Sequence, residues 1–447
     1  MDHLMIVSAD GHITMPPEAV REYLDPQYMD WYDSYLKDVE SFRTKLFFMA
    51  FPSEALEVID TERRIRDGGD IPWNLERRIA EMDREGIVAE ALLPQDLTAP
   101  VPFFDPAAPV YPADVRQAGV LAYHRYVADF MAKAQGRLFG VAAPGPCIDM
   151  DATIEELRWV ADHGFRSVSV PGYTADSELP PLSSQYYEQF WATCAELGMV
   201  LSVHAGHGRT QGNFMVYVDR LLEKMGKDAT HQELQTAHKA GLVPGSPFHP
   251  DTIPQKVFWR LMVGGVFDRY PQLTLAFTEV RCDWVPATLK YLDACFERGD
   301  TTLTRPPSEY WQQNCMTGAS SIKRSEVRLR HEVGVDKMMF GRDYPHREGT
   351  WPNTWDWLRD ALADVPEEEA RLMLGENAVT LYGLDRPKLV EIAEKIGPLP
   401  SEVLGGGYDV DPAVLENFNM RSGYDRSYEE VDLAALAAVT DHAGSAA

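Results

Sequence analysis

The stretch "MIVSADGHITMPPE", residues 5 to 18, ends an apolar run on Asp10, skips Gly11 and lands on His12. Two positions apart on an extended chain, a carboxylate and an imidazole leave the same face. Three further stretches close in the same manner. "SVHAGHG" ends a run on His204 with His207 just beyond, "AFTEVRCDWVP" ends one on Glu279 followed by Arg281, and "FGRDYPHREGTWP" ends one on Asp343 followed by His346. Two imidazoles and two or three carboxylates at one place make a mixed nitrogen and oxygen site. Such a site suits Zn2+, Mn2+ or Fe2+ and leaves a coordination position for water. A divalent ion held among these residues would lower the pKa of bound water toward about 7. Asp343, or Glu279 from across the site, would take the proton, while His207 or Arg281 polarises a carbonyl under attack. Each stretch also has a plainer reading: an Asp-Gly turn, a hydrogen-bonded loop histidine, a Glu279–Arg281 pair, and an Asp343 merely oriented by His346. Only convergence separates the two.

Convergence needs an architecture. Apolar strand candidates at Met5–Asp10, Ile87–Leu93, Leu138–Ala143, Phe165–Val170, Met199–His204, Leu273–Glu279, Trp311–Met316 and Met338–Asp343 alternate with amphipathic helical stretches. Several helices stop at Gly just before the next strand, as in "DREGIVAEALLP", "ADHGFRSVSVP" and "AELGMVLSVH". Eight such repeats predict a distorted (β/α)8 TIM barrel, in which the residues that meet lie at the C-terminal ends of strands. In that frame Asp10 and His12 come from the first strand, His204 from the fifth, Glu279 from the sixth and Asp343 from the eighth. No Gly-rich phosphate fingerprint follows any strand, which disfavours the open nucleotide-binding sheet. The barrel is expected over residues 1–385, with helical insertions after the first strand (about 19–72) and the fifth (about 205–254). A C-terminal extension, 386–447, packs on its own or a neighbouring subunit and ends in a tail expected to be disordered. Aromatic residues of the first insertion (Trp31, Tyr32, Tyr35, Phe47, Phe48, Trp73) suggest an apolar or aromatic substrate, or else simply pack the insertion onto the barrel.

Composition narrows the partners. With 69 acidic against 42 basic residues, the formal charge of −27 opposes binding to nucleic acid phosphates and anionic membranes, leaving a small-molecule substrate. It also disfavours a highly anionic substrate unless Arg281, Arg342 or Arg347 is aimed at it. No stretch approaches the roughly 18 apolar residues of a membrane span. The N-terminus lacks a secretory pattern, and five scattered cysteines without Cys-x-x-Cys spacing read as reduced thiols of a cytoplasmic chain.

Over residues 4 to 385 the chain resembles the metal-dependent hydrolases of the amidohydrolase superfamily. The likeness is to the amidohydrolase-related branch that includes aminocarboxymuconate-semialdehyde decarboxylase and the resorcylate decarboxylases. It rests on "SADGH", "ERRIAEMDREGI", "HGFRSVSVPG", "LSVHAGHG", "GVFDRYPQLTLAFTEVRCDWVP", "VDKMMFGRDYPH" and "MLGENAVTLYGL", the last with the family's Gly-x-Asn-Ala segment. The resemblance implies that His12, His204 and Asp343 are ligands of the first, fifth and eighth strands. Asp10 stands where members carry another His or a Glu, which adds negative charge and favours the harder ions Mn2+ and Fe2+. No Lys follows the fourth strand to bridge a second ion, so one metal is expected. The family's decarboxylases place an acid/base His near the sixth strand, whereas this chain has Glu279 and Arg281. That departure puts hydrolysis of an amide, ester or thioester first and non-oxidative decarboxylation of an aromatic or unsaturated acid second. In the second case His207, His346 or Arg281 replaces the missing His. The resemblance also implies a homodimer.

Overall fold

The structure, a computed structural model, describes residues 2–37, 72–94, 101–104, 111–172, 179–205, 253–346, 349–406 and 410. Eight parallel strands follow the apolar runs: β1 (Ile6–Ser8), β2 (Ile87–Pro94), β3 (Leu138–Ala142), β4 (Phe165–Ser169), β5 (Val200–His204), β6 (Leu275–Thr278), β7 (Cys315–Ser320) and β8 (Met338–Gly341). They pair in sequence order. A two-residue strand, His12–Ile13, extends the first strand and pairs with Leu93 and Pro94 at the end of β2. The two ends of the ladder meet through backbone: the Ala9 amide donates to the Phe340 carbonyl at 2.8 Å, Asp343 to Asp10 at 3.1 Å and His12 to Tyr344 at 2.6 Å. The architecture is a (β/α)8 barrel.

Its helices begin and stop for local reasons. The Leu75–Glu85 helix starts where the Asn74 side chain accepts the Arg77 amide at 3.0 Å, and it ends at Gly86, whose φ of 73° is left-handed. The next residue opens β2. Two apolar layers result. One lies between strands and outer helices and contains Ile6, Leu92, Phe165, Phe277 and Trp311. The other joins Val7, Ala89, Phe139, Ala276 and Met339 to Leu389 and Ala393. The latter two belong to the Arg386–Ile396 helix, which covers the end of the barrel where β1 begins. Its following residues close against the N-terminus, with the Leu4 amide donating to the Pro398 carbonyl at 2.7 Å.

Some expectations change. The seventh strand does not span 311–316: Pro307–Asn314 is a helix with Pro at its first turn, and β7 starts at Cys315. Trp311 is apolar because it packs from that helix onto Phe258, Phe277 and Trp284. The Gly-x-Asn-Ala segment is structural. A Cβ on Gly375 would sit 2.1 Å from the Met5 carbonyl oxygen, and the Asn377 amide group donates to the carbonyls of Val335 and Met338 at 2.8 and 2.7 Å. Most of both insertions, and the chain beyond residue 410, lie outside the described residues. Of the aromatic residues named above, Phe47 and Phe48 are among these. Tyr32 and Tyr35 are fully buried and pack on Phe103, so they hold the insertion to the barrel rather than facing a substrate. Among the described residues no helix is long and apolar enough to cross a membrane.

Candidate metal centre

Glycine makes room for the site. A Cβ on Gly341 would lie 2.6 Å from that of Asp10, and one on Gly11 would lie 2.8 Å from the Glu90 carboxyl carbon. So "FGRD" carries a glycine where the eighth strand meets the first, and "ADGH" carries one where the first strand meets β2. Asp343 and Glu279 sit just past β8 and β6 with φ of 57° and 53°, the left-handed region that non-glycine residues enter at a cost of about 1–3 kcal/mol. Such a conformation persists where surrounding bonds impose it. The Asp343 amide is held by the Asp10 carbonyl and the Glu279 amide by the Gly318 carbonyl at 3.2 Å.

These backbones bring four side chains of the first, fifth and eighth strands together. His12 Nε2 lies 3.3 Å from Asp10 Oδ1 and 3.1 Å from Asp343 Oδ1, and His204 Nε2 lies 3.7 Å from Asp10 Oδ1. All four side chains are buried. The His12 and His204 rings meet edge to face with centroids 5.1 Å apart. Two neighbours complete the rim. Glu279 Oε2 is 3.3 Å from His204 Nε2, with about a quarter of its side chain exposed (27%). His346 stacks on His12 at 3.9 Å and places Nδ1 2.9 Å from Asp343 Oδ1. The described partners of Arg281 are Asp283 at 3.6 Å and Ser325 at 3.4 Å. Arg342 is fully buried on Glu90 and Glu85, so it is not aimed at a substrate. His207 and Arg347 lie outside the described residues.

The electrostatics describe a centre short of positive charge. Burial alone would raise the Asp10 carboxyl, yet the neighbouring His12 and His204 hold it well below the usual carboxylate range. Asp343 is lowered likewise, against its burial, by His346 and His12. Burial alone would lower His204, but Asp10 and Glu279 push it up to about 9. His12 is raised by Asp10 and Asp343 against its burial and the neighbouring His346. Asp10 Oδ1, His12 Nε2, His204 Nε2 and Asp343 Oδ1 are also buried without hydrogen-bond partners, although they lie within reach of one another. Buried ligand atoms that converge on one point without hydrogen-bond geometry between them fit a cation. Asp10, His12 and His204 form one group able to hold an ion, and His12, Asp343 and His346 form an adjoining one. His204 Nδ1 faces the Ala205 carbonyl at 3.0 Å, which places its proton there and leaves Nε2 as the ligand atom. Two carboxylates and two neutral imidazoles would balance one divalent ion, and this donor set suits Mn2+, Fe2+ or Zn2+.

One supporting residue escapes a reading of the sequence. The Ser320 hydroxyl at the end of β7 donates to Asp10 Oδ2. With the seventh strand placed four residues early, its C-terminal residue could not be recognised.

The amidohydrolase family model matches residues 9–384, and the chain belongs to that family. Solved structures share the fold. An amidohydrolase of Mycobacterium avium subsp. paratuberculosis K-10 is 18% identical with a TM-score of 0.59, over 86% of this chain and all of that one (100%). The 5-carboxyvanillate decarboxylase of Novosphingobium aromaticivorans DSM 12444 is 18% identical with a TM-score of 0.58, over 85% of this chain and 96% of that one. It was solved with manganese and 4-hydroxy-3-methoxy-5-nitrobenzoic acid. A dihydroxybenzoic acid decarboxylase of Polaromonas sp. JS666, with manganese and 2-nitroresorcinol, is 18% identical with a TM-score of 0.54, over 87% and 99% of the two chains. At this identity the likeness carries the fold alone. No curated protein matches the chain in sequence.

Proposed function

We propose that this protein is a non-oxidative carboxy-lyase that uses a single divalent metal ion, with manganese the first candidate, to remove CO2 from an aromatic acid. The observation that carries the reading is the convergence of Asp10, His12, His204 and Asp343 with His346 resting on Asp343. Support for the reaction type comes from the decarboxylases of the same fold, two of them with manganese. When bound, the ion supplies positive charge that orients the substrate carboxylate. The chain itself must deliver a proton. The ring carbon bearing the carboxylate gains a proton, the C–C bond then breaks, and its electron pair restores the ring as CO2 leaves. His346, 2.9 Å from Asp343 Oδ1, is placed to hold that proton and pass it through Asp343. In this reading His346 does the work of the acid/base His that the sixth strand lacks.

A second reading, hydrolysis of an amide, ester or thioester, is favoured by Glu279. A partly exposed carboxylate 3.3 Å from His204 Nε2 suits a base that takes a proton from water. The test is a panel of hydroxylated benzoates and aryl amides, esters and thioesters offered to the manganese-loaded protein. Release of CO2 from a benzoate, lost in His346→Ala, supports the lyase. Release of acid from an ester, thioester or amide with no CO2 from any benzoate, lost in Glu279→Gln, replaces it with the hydrolase.

A further inference from the structure

Beneath the four ligand candidates lies a second buried cluster. Glu90 faces outward from β2 between two guanidinium groups: Arg78 Nε donates to its Oε2 at 2.7 Å, and Arg342 Nε donates to its Oε1. Arg342 Nη1 reaches on to Glu85 Oε2 at 3.0 Å. Arg78, Glu90 and Arg342 are all fully buried (0% exposed). Burial alone would neutralise Glu90, yet the charges of Arg342 and Arg78 hold its carboxyl below the usual range.

Burying three charged side chains is costly, and such clusters are weak evidence of stabilisation in themselves. Their attachments suggest another purpose. Arg78 Nη1 donates to the backbone carbonyl of His12 at 2.7 Å. Arg342 immediately precedes Asp343, and its amide donates to Ser8 Oγ at 3.0 Å; that hydroxyl in turn donates to the Asp10 carbonyl at 2.5 Å. The Tyr344 ring lies 5.0 Å from the Arg78 guanidinium and 4.4 Å from that of Arg342. The cluster thus grips the backbone on both sides of the seam where the first and eighth strands meet, one residue or less from three of the four ligand candidates. Gly11 is what lets the Glu90 carboxylate approach that seam.

We infer that Arg78, Glu90 and Arg342 are positioning residues of the metal centre, setting the relative placement of His12 and Asp343 without touching an ion or substrate. The inference rests on reading Asp10, His12, His204 and Asp343 as a divalent-ion site. Arg78→Lys loses the planar fork that serves Glu90 and the His12 carbonyl together. Glu90→Gln removes the charge that holds both arginines.

The experiment is titration of the metal-free chain with Mn2+ alone, followed by loss of the free-ion signal in electron paramagnetic resonance and by the line shape of the bound ion. Wild type should bind one Mn2+ per chain. Arg78→Lys and Glu90→Gln should remain folded, bind about 10- to 100-fold more weakly and give an altered bound line shape. Glu156→Gln is the control. It breaks a buried ion pair elsewhere in the barrel and should leave the affinity within about twofold of wild type, on the ordinary independence of distant sites. If Arg78→Lys and Glu90→Gln fail to fold, Glu85→Gln carries the same comparison, since it weakens the hold on the Arg342 side chain while leaving Glu90 in place. Wild-type affinity in the variants would overturn the inference and leave the metal site standing, as would an equal weakening in Glu156→Gln. A wild-type chain that binds no Mn2+ would overturn the metal site and the inference together.

Discussion

At the residue scale, the centre is built from side chains whose own hydrogen bonds fix which atom faces inward. His204 gives one ring nitrogen to the Ala205 carbonyl, so the other is free for a ligand role. Asp10 Oδ2 accepts from the Ser320 hydroxyl, so Oδ1 faces His12 and His204. Removing a ligand and removing its support should therefore differ in degree. Asp10→Ala should strip the ion from the purified chain, leaving far less than one per chain by mass spectrometry while circular dichroism keeps its wild-type form. Ser320→Ala should retain binding with affinity lowered about 10- to 100-fold, as measured by calorimetric titration. Equal metal content in Asp10→Ala and wild type would remove Asp10 from the ligand set.

At the scale of elements, the same chemistry explains two kinds of glycine. Gly11 and Gly341 make space between the polar ends of strands, whereas Gly375 lets a helical turn lie on the backbone at Met5, where β1 is about to begin. Gly375→Ala forces a methyl group to 2.1 Å from a carbonyl oxygen and should destabilise the fold by about 1–3 kcal/mol, visible as a lower melting temperature. Its Mn2+ affinity should stay at the wild-type value. Gly11→Ala should instead weaken Mn2+ binding, because the added methyl meets the Glu90 carboxyl. The first, fifth and eighth strands were legible in the sequence because each joins an apolar run to an ionisable residue at its end. The seventh was not, because Trp311 looks the same in a string whether it packs from a helix or a strand. The Arg78–Glu90–Arg342 cluster left no periodic trace either. Glu90 and Arg342 are 252 residues apart and meet only when the barrel closes. Aromatic content was ambiguous for a related reason: Tyr32 and Tyr35 pack with the same rings that could have lined a substrate wall.

At the scale of the whole molecule, ionisable groups buried away from the centre set how the barrel answers to acid. His124, on the Ala113–Ala132 helix, is fully buried (0% exposed). Its Nδ1 faces Glu156 Oε1 at 2.8 Å, and its Nε2 accepts the Ala143 amide at 3.1 Å. The second bond requires a neutral ring, because a protonated imidazole has no acceptor for that amide. Burial lowers the His124 pKa below its ordinary value of 6.5, outweighing the pull of Glu156. Glu156 is itself held below the ordinary 4.5, against its burial, by His124 and Arg125. The signs agree. Between the ordinary and the lowered value of each group the unfolded chain binds more protons than the folded one, so stability falls as the pH is lowered. The loss should begin below about pH 6.5, where unfolded His124 takes up its proton, and deepen below about pH 4.5 as Glu156 follows. Each group can contribute a slope of at most about 1.4 kcal/mol per pH unit. Chemical denaturation of the metal-free protein from about pH 6.5 to 4 would read this, because the chelated state removes the ion's own pH dependence and the raised His12 and His204 change stability only above that window. In His124→Gln the decline between pH 6.5 and 5 should flatten while the steeper fall below 4.5 persists. An unchanged slope in that variant would place the acid sensitivity elsewhere in the barrel.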